Sequence, residues 1–331
     1  MSEQPYAEMP TGSVGVVELP SPAVDSTQRL AEEDQVVASP RVSSPGKDAW
    51  RRFRRNWAAM ASLIVVGILL FSAIFAPWMH TMDPLAQNYN LLDGAPSAAH
   101  WFGTDGVGRD EYSRLLYGMR IPFAVGFIGT FITVILGTLI GVIAGYHGGA
   151  IDGVLARFTD LMFAFPGFLL ALLVVALFGP AFDPMLNGDG RVIILTAIFA
   201  FVSWPSLMRF VRSLALTLKE QQFVEAARTS GSSSWKIVVR HLIPNMMGLI
   251  LVQAALITVG IIYAEVALSI FGLGIPQPQP DPGVMLFQGS SLLGVADNQV
   301  LFPAIFIATL LLALTFIGDG VRDAVDPRMN S

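Results

Sequence analysis

The sequence predicts an all-α polytopic membrane protein, and three observations carry that prediction. Of 331 residues, 53% are hydrophobic and only 14% charged, whereas a soluble domain carries about 25% charged residues. Mean hydropathy is +0.59. Several windows run about twenty residues without a formal charge, the length that crosses a hydrocarbon core. The net charge of −5 gives no basis for a nucleic-acid partner. The absence of cysteine excludes disulfides, thiolate catalysis and Cys-ligated metals.

Residues 1–49 are rich in Pro, Ser, Val and acidic side chains without helical or strand periodicity, and are expected to form a disordered tail. The first apolar run begins near Trp57, too far along for a cleavable signal peptide. Residues 50–120 hold the first span, Trp57 to Met79, behind the basic cluster Arg51 to Asn56, and then a hydrophilic connection. Trp57 and Trp78 suit an aromatic belt. Residues 121–331 hold five more spans. The second, Ile121 to Tyr146, carries Gly137 and Gly141, a small-xxx-small pair that lets another helix approach. A short turn leads to the third, Leu161 to Gly179, with Pro166 near its start. The fourth is shorter, Val192 to Met208; the fifth runs from Pro244 to Ile261 and extends toward Glu265; the sixth is Val300 to Ile317.

Six spans place both termini on one side. With the N-terminus inside, the inner side has sixteen Lys and Arg and the outer side four. Positive charge marks the cytoplasmic side. Both termini and residues 209–241 are therefore expected in the cytoplasm, with Tyr89 to Arg120 and Gly272 to Gln299 outside.

Catalytic chemistry is not legible. A P-loop needs Gly, four residues, then Gly-Lys-Ser/Thr. Of three lysines only Lys47 follows a glycine; Arg41 stands where the first glycine belongs, and Asp48 replaces the hydroxyl residue. The histidines show neither HExxH nor a pair at helical spacing, and no serine sits in a GxSxG elbow. Glu265 is the carboxylate nearest to a span; a structural or interfacial place, the translocation path and proton coupling are its three readings. Asp160 and Asp319 are read as interfacial.

Between spans four and five the chain turns polar. In "LKEQQFVEAART" helix formers dominate, and Phe223, Ala226 and Ala227 make a narrow apolar face beside Glu225 and Arg228. Gly231 can end that helix left-handed. A serine of Ser232 to Ser234 can cap the next helix, which Pro244 leads into span five. A helix, a hinge and a second helix follow, suited either to docking a partner or to lying on lipid headgroups.

The spelling of this segment resembles the EAA motif of permease subunits in binding-protein-dependent ABC importers. Glu225, Ala226, Ala227, Gly231 and Pro244 fall at the family's spacing, and His241 stands where the pattern has Ile, as in the dipeptide/oligopeptide/nickel branch. "FGTDGVGRDEYSRLLYG" (Phe102 to Gly118), "SWPSLMRFVR" (Ser203 to Arg212), "FGLGIPQPQPDPG" (Phe271 to Gly283) and "GDGVRDAVDPR" (Gly318 to Arg328) add to the likeness. Pro282 departs from it, standing where the family has Trp.

The resemblance implies a C-type permease of the type I ABC importer fold in a prokaryotic plasma (inner) membrane, serving uptake of dipeptides or oligopeptides, with nickel or another small solute as the alternative. It implies a homologous second permease, two cytoplasmic ATPases that bind ATP and Mg, and an extracytoplasmic binding protein; this chain itself binds no cofactor or metal. Glu225, Ala226, Ala227, Arg228, Gly231, His241 and Pro244 would couple to an ATPase. Gly103, Asp105, Gly108, Arg109, Asp110 and Arg114 would form an outer-loop signature that sets folding and gate geometry.

Overall fold

Apolar residues at every position of a stretch leave helix as the one open-ended structure that satisfies its own backbone in lipid. The computed structural model describes residues 45–185 and 189–325, and the disordered-tail expectation lies almost wholly outside them. From Pro45, however, the chain is helical. Helix α1 (Pro45–Arg55) runs into α2 (Trp57–Ile74), whose first turn Asn56 caps by accepting from the Ala59 N–H at 3.1 Å. A short α3 (Ala76–Met79), with Pro77 in its first turn, completes the first predicted span.

After a long connection come α4 (Glu111–Gly118), α5 (Arg120–Phe123), a π-turn (Ala124–Ile128) and α6 (Gly129–His147). Next are α7 (Gly149–Phe163), α8 (Gly167–Phe182) and α9 (Gly190–Leu218). Then follow α10 (Gln222–Thr229), α11 (Ser234–Ile237), a second π-turn (Val238–Leu242) and α12 (Ile243–Ile270), before α13 (Pro282–Ser290) and α14 (Asn298–Val325).

Five stretches are long and apolar enough to cross a membrane: Trp57–Ile74, Glu111–His147, Gly190–Leu218, Ser234–Ile270 and Asn298–Val325. Helices α7 and α8 meet at 73° and make a sixth if the bent pair is one span. The expected third span is thus broken at its start: Pro166 lacks an N–H and disfavours helix at the residue before it. Helix α7 occupies what was read as a turn.

Packing follows small residues. The Gly137/Gly141 pair lies against α9, and Gly145 extends the stripe. A Cβ on Gly137 would stand 2.8 Å from Leu207 Cβ, one on Gly141 2.6 Å from the Met208 carbonyl, and one on Gly145 2.7 Å from the Arg212 carbonyl. Helix α9 also outruns its predicted end at Met208 by about three turns. The arginines that looked like its end are neutralised: Arg209 pairs with Asp160 and lies 4.2 Å over the Phe163 ring, and Arg212 forks onto Asp152. Asp160, read as interfacial, is exposed and pairs with Arg209.

At one end of the molecule α1 packs on α14, with Phe53 buried beside Gly320 and Ala324. Gly248, near the start of α12, packs on Val325 at that same end. The end of α9, helices α10 and α11 and both terminal helices therefore cluster together. The signature around Asp105 lies at the other end, where it meets the loop before α13 and the start of α14.

Candidate functional site

Two assemblies gather the residues singled out in the sequence. The first is the α10–α11 hairpin. Helix α10 ends in a Schellman motif: Gly231 N–H donates to the Arg228 carbonyl at 2.9 Å and Ser232 N–H to the Ala227 carbonyl at 3.0 Å. Gly231 sits at φ +76°, where a Cβ is costly. Ser233 caps α11 through the Lys236 N–H. The alanines separate. Ala227 and Val224 are buried with Ile237, Val238 and Leu242 in one cluster with Val142 of α6 and Val211 and Ala215 of α9, so the hairpin packs onto the ends of the long helices. Ala226 is exposed, as are Phe223 and Glu225. The single apolar face expected from Phe223, Ala226 and Ala227 is two faces. Arg228 lies over the Tyr146 ring, 5.3 Å from its centroid, and ties the hairpin to α6. His241 falls within the second π-turn, its carbonyl accepting from Asn245 at 2.6 Å; Pro244 is exposed at the start of α12.

The second assembly is a polar knot. Asp105 accepts from the Arg109 and Val107 N–H groups at 2.8 and 3.0 Å and from Arg109 Nε at 2.6 Å. Arg109 Nη1 reaches Gln277 at 2.7 Å, linking residues far apart in sequence. Asp110 caps α4: its carboxylate accepts from the Ser113 N–H and hydroxyl at 2.9 and 2.7 Å, and His100 Nδ1 lies 2.9 Å away. Gly103 and Gly108 have positive φ, and a Cβ on Gly108 would sit 1.9 Å from the Asn88 carbonyl. Arg114 is fully buried; its nearest carboxylate is Asp105 at 3.6 Å, not Asp110 four residues before it. Capping has turned Asp110 toward the backbone of α4, out of reach of that pairing.

Glu265 is also fully buried. Ser269 Oγ lies 3.3 Å from Glu265 Oε1 and 3.3 Å from Asp281 Oδ2, while Asp281 Oδ1 accepts from the Gly283 N–H at 2.7 Å. Burial raises the Asp281 carboxyl above the ordinary carboxylate range, against these hydrogen bonds. Glu265 is thus joined through Ser269 to the cap of α13, with its carboxyl shielded within this chain. Pro282 occupies the first turn of α13, where a missing N–H costs nothing. Sequence reasoning missed Arg191, which forks onto Asp183 at 2.7 and 2.8 Å and reaches the Leu273 carbonyl at 3.3 Å. Among the described residues no three His, Cys, Asp or Glu side chains gather to hold a metal ion.

Residues 137–331, which contain the hairpin, match the family model described as binding-protein-dependent transport system inner membrane component. The chain belongs to this family. Residues 44–96 match a second model, the N-terminal TM domain of oligopeptide transport permease C. The glutathione transport system permease protein GsiD of Shigella sonnei is 40% identical over 310 residues, covering 93% of this chain and 96% of its own. The same-named protein of Pectobacterium atrosepticum is 36% identical over 299 residues, covering 89% and 95%. Among solved structures, the inward-facing MetNI methionine ABC transporter aligns over 62% of this chain and 94% of its own, at 17% identity and TM-score 0.45. As a binding-protein-dependent transport permease the chain is a polytopic inner-membrane component, and not the hydrolytic part of its system.

Proposed function

We propose that this chain is one of two permease halves of an ATP-driven importer for short peptides handed over by a binding protein. The observation that carries this reading is the exposed Phe223–Glu225–Ala226 edge on a hairpin whose other face is buried against α6 and α9 and whose second helix runs through the π-turn into α12. A partner seated on that edge moves a long helix, not a loose loop. Glu225 fixes register by a charged hydrogen bond, Ala226 allows close seating, and Ala227 and Gly231 keep the hairpin's shape. Arg228 holds it to α6, while the His241 turn and Pro244 set the angle of α12. The occupants are two cytoplasmic ATPases, which bind ATP and Mg, one on this chain and one on a homologous second permease.

In this reading α7 and α8 form one bent span, giving six spans in the type I arrangement. Residues 50–120 add the first span to a core at 121–331. The hairpin end is cytoplasmic with both termini, supported by the sixteen-to-four distribution of Lys and Arg. The polar knot faces outward as architecture for the gate, with Arg109 as its cross-link, and Glu265 serves as a pin rather than a cargo contact. Peptide is favoured over nickel because the relatives' named cargo, glutathione, is itself a small peptide.

The test is reconstitution of the chain with its co-encoded partners in proteoliposomes. ATP-dependent uptake of glutathione or short peptides, requiring every component, is expected. Uptake by this chain alone, or nucleotide hydrolysis by it, would overturn the reading.

A further inference from the structure

A cavity of about 290 Å³ opens where α8, α9 and α12 diverge, beside the 73° break that separates α8 from α7. Its walls include Phe168, Phe199 and Ile257, and no charged side chain lines it. Ser203 and Ser206 supply its hydroxyls; neither has a hydrogen-bond partner among the described residues. Gly260 completes the lining, and a Cβ built there meets nothing within 4 Å. Both Ser206 and Gly260 are exposed. Ser203 and Gly260 lie well inside α9 and α12, which belong to two of the stretches long and apolar enough to cross a membrane. At ~30 Å³ per water the space holds on the order of ten waters.

We propose that this cavity is the station at which this chain contacts peptide cargo, with Ser203 and Ser206 hydrogen-bonding the peptide main chain. The proposal rests on the peptide-importer reading above and names its cargo contacts. An amide drawn into an apolar region costs about 2–7 kcal/mol if left unpaired. A hydroxyl both donates and accepts, so the two serines serve carbonyls and N–H groups whatever the side chains. With no fixed charge in the lining, passage needs no ion pair to be broken. Glu265, next to the lining residue Ala264, takes no part because its carboxyl is held by Ser269.

The chain has no cysteine, so Ser206→Cys and Gly260→Cys each place a single thiol in this subunit, whose labelling is read on its own band from the reconstituted transporter. A water-soluble thiosulfonate is expected to modify both roughly tenfold or more faster than Ile64→Cys on the apolar α2, with a short alanine peptide plus ATP, which brings no thiol of its own, slowing the reaction. Gly260→Leu, whose Cβ has no neighbour within 4 Å and whose side chain adds bulk to the cavity lining, is expected to cut glutathione uptake roughly tenfold while ATPase subunits still co-purify. The Ser203→Ala/Ser206→Ala pair is expected to raise the KM for uptake, with Ser203→Thr/Ser206→Thr restoring it. Modification no faster than at Ile64→Cys, or wild-type uptake by Gly260→Leu, would overturn the station. A wild-type complex that moves neither glutathione nor short alanine peptides would overturn the importer reading itself, while fast modification of the thiols would still show a hydrated cavity.

Discussion

Arg109 shows what a residue in a polar motif does once its partners are known. Its guanidinium spans Asp105 and Gln277 while being almost wholly buried. Removing one member of a buried pair costs about 3–5 kcal/mol when the other is left unpaired; here Arg114 at 3.6 Å and two backbone N–H groups still face Asp105, so the cost falls below that range. Arg109→Ala is therefore expected to lower assembly and thermal stability of the reconstituted complex without changing which peptides compete for uptake. A variant that assembles normally but prefers different peptides would show that Arg109 reads cargo. The residues of this knot were legible as a motif, and their partners were not. Gln277 lies 168 positions from Arg109, and nothing local pairs them. The hairpin alanines teach the same lesson. Their spacing identified the segment, but whether Ala226 or Ala227 turns inward depends on Leu242 and Val238, which arrive from beyond the turn.

At the scale of elements, apolar runs without charge predicted the long helices well, and charge predicted their ends poorly. Helix α9 passes Arg209 and Arg212 because Asp160 and Asp152 on α7 meet them. Helix α7 itself escaped notice because Gly148, Gly149 and Gly153 read as a turn. Its Ile151, Val154, Phe158 and Leu161, which are exposed, recur at helical spacing. Helix α13 was hidden among prolines and glycines, yet Asp281 caps it and Pro282 starts it. The glycine stripe of α6 is the element feature that the sequence foretold most directly, and its energetics follow from the approach distances. Gly141→Leu would place its Cβ 2.6 Å from the Met208 carbonyl. Overpacking of this kind costs about 1–3 kcal/mol or more, so the purified protein should melt at lower temperature and accumulate less in the membrane. Gly153→Leu, where nothing lies within 4 Å, is the matched control and should behave as wild type. Equal melting of the two variants would remove the close α6–α9 approach from the account.

For the whole molecule, the long helices join a buried polar knot at one end to an exposed hairpin at the other, with the cavity between α8, α9 and α12 along the way. The class, the membrane character and the hairpin could all be read from the sequence, since each rests on local composition or spacing. The break between α7 and α8 and the cavity beside it could not, because they depend on how separate helices diverge. What unites these parts is the claim that force enters at the hairpin and leaves through α12. Glu225 and Ala226 are exposed, so substitution there spares the buried cluster beneath the hairpin. The most direct measurement is therefore ATP-driven uptake and ATPase co-purification for Ala226→Trp in the complete reconstituted transporter. Loss of the ATPase subunits, with uptake falling roughly tenfold or more while the variant still folds and inserts, is the expected result. Full ATPase recruitment with wild-type uptake would contradict the account and leave the hairpin a surface feature without a coupling role.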